Sequence, residues 1–155
     1  MAIIEDALSN LKSIKKMIPQ YGKEAILENK FTIIERLKNW QWAKGIGSDG
    51  SVVGTYADST EGYAEADNVH NSHLKSGGSP YNFYWSGDAA ENLYLKSVNK
   101  TKGTFDISTI AAKKRLFDEE FGEMFDLTDE QNDWINENIV EPYMAKKIEE
   151  KLFDF

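Results

Sequence analysis

The chain is expected to fold as an α+β domain, with N-terminal and C-terminal helices packed on a small antiparallel β-sheet and a long irregular central loop. Three observations lead there. Apolar residues recur at helical spacing towards both ends, apolar and polar residues alternate within 92–108, and residues 44–80 are rich in Gly, Ser and Asp without sustained periodicity. At 155 residues the chain reads as a single domain, 1–155. A chain of that length buries roughly 70% of its unfolded surface without needing covalent staples. The expected division is helical over 2–39, loop or extended over 40–91, a β-hairpin over 92–108 and helical over 110–153.

Taken in order, Ile4, Ala7, Leu8, Leu11, Ile14 and Ile18 form an amphipathic stripe, with Glu5, Asp6, Lys12 and Lys15 between them. Pro19 is expected to end this helix. A second helix is expected from Lys23 to Asn39; Ala25, Ile26, Phe31, Ile33, Ile34 and Leu37 cover more than one of its faces, which predicts burial on two sides. From Lys44 to Tyr63 the sequence KGIGSDGSVVGTYADSTEGY supplies turn formers, and 64–80 continue without a pattern. A loop of that length in a small domain is usually functional or ordered against a partner.

Gly77 to Ser108 then runs through an aromatic stretch and a Ser86-Gly87-Asp88 turn into two strands. Leu93 and Leu95 alternate with polar neighbours in the first, and Thr104-Phe105-Asp106-Ile107 repeats the pattern in the second. Asn99 to Gly103 is the polar hairpin loop between them. Leu116, Phe117 and Phe121 return to helical spacing over 110–121. Thr128 stands three residues before Gln131, as in a capping box, and a helix follows to about Leu152, which Pro142 should kink or divide.

Charge and composition narrow the function. With 18 basic and 26 acidic residues the net charge is -8, which argues against tight binding to nucleic acid phosphates. There is no cysteine, so disulfides and thiolate metal sites are excluded. MAIIEDALSN carries acids where a secretory signal would carry bases, and no window reaches the roughly 20 apolar residues of a membrane span. The expectation is a soluble protein made in the cytoplasm.

Individual residues offer little chemistry. Asp67, His70 and His73 are spaced for one helix face, but their segment reads as loop and lacks a fourth ligand. Ser48-Asp49-Gly50-Ser51 lacks the spaced acids of a calcium loop and reads as a turn. Ser86 is preceded by Tyr84 where a nucleophile elbow requires glycine. Glu61, Glu65 and Asp88 could supply a carboxylate pair, but nothing separates them from a solvated acidic surface. Of Trp40 and Trp42, one is expected in the core and one outside.

A larger pattern runs from the second helix onward. It comprises Ile26-Leu27 and Ile33-Ile34, then Gln41-Trp42-Ala43-Lys44-Gly45-Ile46, Ser48-Asp49-Gly50, Gly54-Thr55-Tyr56, Ser59-Thr60 and Tyr63. Pro80 to Asp88 (PYNFYWSGD), Phe121-Gly122, Phe125 to Thr128 and the terminal helix complete it. This order resembles a family of small virion components, of the neck or tail-completion kind, encoded by tailed bacteriophages and prophages of gut bacteria, crAss-like phages included. Ser86 stands where that family's turn carries threonine, and Ala89-Ala90-Glu91 where it tends to carry an aromatic and a basic residue.

The resemblance implies a structural, non-enzymatic subunit of a head-tail connector ring, found in the virion at the head-tail junction and in the host cytoplasm before assembly. It implies no catalytic residue, metal or cofactor. Its expected partners are further copies of itself and other phage neck, portal-adaptor or tail proteins, with no membrane and no specific nucleic-acid contact, although DNA passes through the ring. Trp42, Tyr56, Tyr63, Tyr81, Tyr84 and Trp85, with Asp88 at the turn, are the expected assembly contacts because aromatic side chains anchor interfaces. The alternatives are a small cell-wall hydrolase using Glu61, Glu65 or Asp88, and an acidic inhibitor that mimics DNA.

Overall fold

The computed structural model describes residues 2–57, 77–81, 91–99, 104–109, 115, 119 and 124–153. Helix α1 spans Ala2–Glu28, α2 Lys30–Arg36, α3 Asp129–Ile135 and α4 Glu141–Phe153; strands β1 and β2 are Leu93–Asn99 and Thr104–Thr109. The fold is α+β, with helices packed on a two-stranded antiparallel sheet.

Pro19 does not end the first helix. It sits inside α1, and the chain breaks instead at Asn29. Residues 15–20 are all exposed, so water can replace the amide that the Lys15 carbonyl loses to proline. At Asn29 the side-chain amide donates to the Ala25 carbonyl at 2.8 Å, the carbonyl that its own backbone N–H also reaches at 3.2 Å. That local competition turns the backbone to φ -106°, ψ 18° and starts α2 on a new line.

α2 continues through a π-helical turn, Leu37–Gln41, and a 3₁₀ turn, Trp42–Lys44, ending on Gly45 at φ 66°. Ile33, Ile34 and Leu37 are buried, but Phe31 is 72% exposed, so the helix is covered on one side and not on two. A second π-helical turn, Asn136–Val140, joins α3 to α4 directly before Pro142. The division expected at that proline is therefore a widened turn, with both helices continuing along one rod.

The hairpin follows the alternation. Leu93 pairs with Thr109, Leu95 with Ile107 and Ser97 with Phe105, with a bulge between Ser97 and Asn99. Ile107 and Thr109 are buried and Leu93 and Leu95 half-buried, whereas Tyr94 on the other face is 40% exposed. The sheet face meets Ile33, Leu37, Trp42, Met124, Phe125, Ile135 and Ile139, which form the core. A second seam runs where α4 lies along α1, burying Ile14, Tyr21 and Ala25. Tyr143, near the start of α4, donates its hydroxyl to Glu28 at 2.8 Å and reaches Glu24 at 3.5 Å, so α4 runs antiparallel to α1. Burial, then hydrogen bonding to Glu28, pushes the Tyr143 hydroxyl up to about 12.

Among the described residues no helix is long and apolar enough to cross a membrane. Arg115 and Glu119 are the described members of the expected 110–121 helix; both are helical and their side chains pair at 3.5 Å.

Candidate assembly site

Two structures stand where the core helices meet the irregular segment. The first is a clasp. Residues 54–56 run antiparallel to 78–81: the Tyr56 N–H donates to Ser79 at 2.9 Å, the Gly78 N–H to Tyr56 at 2.8 Å and the Tyr81 N–H to Gly54 at 3.0 Å. The Tyr56 and Tyr81 rings lie edge to face at 4.8 Å, a favoured arrangement of aromatic quadrupoles. Both side chains are half-buried, and Tyr81 also packs against the core.

Glycine makes the clasp possible at two points. A Cβ on Gly54 would stand 2.5 Å from the Tyr81 ring. Gly45 occupies the left-handed region, and its Cβ would lie 2.8 Å from that of Pro80. The Val53 N–H donates to the Gly45 carbonyl at 2.9 Å, which ties the clasp to the end of the helical layer.

The second structure is a groove beside it. Trp40 is 42% exposed, with the Lys44 ammonium 4.0 Å from its ring centroid. The Arg36 guanidinium lies 4.4 Å from the Trp40 ring and 3.9 Å from that of Trp134, while its Nε donates to Gln131 at 2.6 Å. A cavity of about 300 Å³ opens here, and its lining includes Trp40, Lys44, Ile46, Asp49, Asp129 and Glu130. The Ser48-Asp49-Gly50-Ser51 segment is a turn on its rim, with Gly50 at φ 81°. The Ser51 N–H and hydroxyl donate to the Asp49 carboxylate at 2.9 and 2.7 Å and hold its pKa below the usual carboxylate value.

Trp42 must be moved from the expected assembly contacts to the core. It is 2% exposed, meets Phe125 edge to face at 5.6 Å and donates its indole N–H to the Met124 carbonyl at 2.8 Å. Being two residues apart on a helical turn sends Trp40 and Trp42 to opposite sides, as alternation on a strand would have done. Of the other expected contacts, the structure brings Tyr56 and Tyr81 together. Tyr63, Tyr84, Trp85 and Asp88 lie outside the described residues, as do Glu61, Glu65, Asp67, His70 and His73. Among the described residues no group of three or more His, Asp or Glu could hold a metal ion.

Gln41 is the residue that sequence reasoning missed. It is 1% exposed; its amide donates to the Asp126 carbonyl at 2.7 Å and accepts from the Thr128 N–H at 3.1 Å. Thr128 caps α3 through its hydroxyl, which accepts from the Gln131 N–H at 3.3 Å. The reciprocal half of the capping box is absent, because Gln41 takes the Thr128 N–H and Gln131 turns to Arg36. The available signal was an amide at Gln41 on the same helical stripe as Ile33, Ile34 and Leu37.

No family model, no curated protein and no solved structure matches this chain.

Proposed function

We propose that this protein is a structural subunit of a head-tail connector or neck ring in a tailed phage, without catalytic activity of its own. The observation that carries the reading is the clasp. It joins residues 54–56 to 78–81 and roots both ends of the intervening stretch beside a packed helix end. A contact surface held in place in this way loses less conformational entropy when a neighbouring subunit binds it.

Two further features agree with an assembly role. Leu8, Leu11, Ile18, Phe31 and Trp40 each leave 40% or more of their surface in solvent, an apolar supply suited to interfaces. The net charge of -8 suits a wall past which DNA slides, since it repels phosphates. In this reading the partners are further copies of the chain and neighbouring neck, portal-adaptor or tail proteins. The protein resides in the host cytoplasm before it joins the virion.

The test is mass spectrometry of tailed particles purified from the source culture by density gradient. Recovery of this chain in a fixed copy number per particle supports the proposal. Its absence from intact particles overturns it.

A further inference from the structure

The apolar face of α1 is only half used. α4 covers Ile14, Tyr21 and Ala25, while Leu8, Leu11 and Ile18 are 51%, 53% and 40% exposed. Lys12 and Lys15 share that outer face four residues on from Leu8 and Leu11, Lys16 adjoins it, and Glu5 stands on it three residues before Leu8. No ion pair among the described residues engages these three lysines, and a Cβ on Gly22, one step further along the face, would meet only open space. The outer face is thus an apolar ridge with an excess of lysines, and its three large apolar side chains each leave 40% or more of their surface in solvent.

The Trp40 groove has the opposite character. Trp40 forms its apolar wall, and its rim carries Asp49, Asp129 and Glu130 against Lys44, which lies on the indole, and Arg36, whose guanidinium is stacked on Trp40 and Trp134. Asp129 and Glu130 open α3, whereas the ridge lies on the half of α1 that reaches towards the end of α4. At about 1.5 Å per residue, the rod from Asp129 to Phe153 holds the two surfaces roughly 35 Å apart. They cannot meet within one molecule.

We infer that the chain associates with itself head to tail, the Leu8–Leu11–Ile18 ridge with its lysines seating in the Trp40 groove of a second copy. The inference rests on the homo-oligomeric reading above and supplies its contact. Opposite charges and apolar surface on both sides set the pairing. Because the two surfaces differ, the contact is heterologous, so each added copy presents a free groove or ridge and the series ends only by closing into a ring.

The experiment is sedimentation velocity on the full chain up to about 1 mM, near the weak limit of specific association. The wild type should form species larger than a dimer, and association should weaken at least about 3-fold as salt shortens the screening length. L8E/L11E and D129K/E130K should each be monomeric alone. Mixed in equal amounts, they should form a 1:1 complex and nothing larger, since each contributes its one intact surface. If circular dichroism shows D129K/E130K unfolded, W40A takes its place. A wild type monomeric throughout, association of L8E/L11E alone, or a mixture that stays monomeric would each overturn the inference. Recovery of the chain from particles is read independently, so a monomer found at the neck would sink this contact and leave the proposed function standing.

Discussion

Gln41→Met isolates the polar link between the helical layer and the start of α3. Methionine keeps the volume of the side chain, so little cavity forms. What disappears is the 2.7 Å bond to the Asp126 carbonyl and the 3.1 Å bond from the Thr128 N–H, both made by an amide that is 1% exposed. Each backbone group left without a partner costs about 1–3 kcal/mol when fully buried. Asp126 is exposed and Thr128 half-buried, so water recovers part of this loss. A total of about 2–3 kcal/mol follows, which is roughly 5–10 °C in Tm for a chain of this size. Urea denaturation followed by helical circular dichroism gives the value directly, with the slope unchanged if the native fold is kept. A loss below about 0.5 kcal/mol would refute the assignment of Gln41 as the satisfied core amide, because surface changes fall in that range.

Other outcomes follow from the same geometry. Trp42→Phe should lose about 1–3 kcal/mol in the same assay by leaving the Met124 carbonyl unpaired, and a variant of wild-type stability would return Trp42 to the assembly contacts. Gly45→Ala combines a left-handed backbone with a 2.8 Å approach to Pro80 and should cost about 2–4 kcal/mol; faster hydrogen exchange at the Val53 and Tyr81 amides would locate the damage in the clasp. Arg36→Lys should lower stability by about 1 kcal/mol, since an ammonium cannot stack between Trp40 and Trp134 while donating sideways to Gln131; equal stability would show that charge alone suffices there. Because the folded Tyr143 pKa is raised to about 12, its stabilising contribution is complete below pH 10 and is lost between pH 10 and 12. Ultraviolet titration should therefore show a tyrosine ionising near pH 12, and Tyr143→Phe should remove that step.

Legibility in the sequence followed how local each determinant is. The hairpin was readable because period-2 alternation at Leu93, Leu95, Phe105 and Ile107 commits one face to the core, whereas the bulge between Ser97 and Asn99 leaves no such trace. The Asp49 turn was readable because its hydrogen bonds span two residues. Pro19 misled because its cost depends on whether solvent reaches the freed carbonyl, which is a property of the tertiary structure. The stripe on α1 showed which residues share a face, but not that α4 would cover only its Ile14–Tyr21 edge. Gln41 and Arg36 find their partners in 126–134, more than eighty residues away, and no local pattern reports such pairing. Among the expected assembly contacts, Tyr56 and Tyr81 meet through the clasp, whose strands are too short and too far apart in sequence to leave a periodic trace.

The measurement that tests the central claim most directly is immunogold electron microscopy of tailed particles, using antibody against this chain. The connector account predicts gold confined to the junction of head and tail. Label absent from intact and disrupted particles, or spread along tail or capsid, would contradict it.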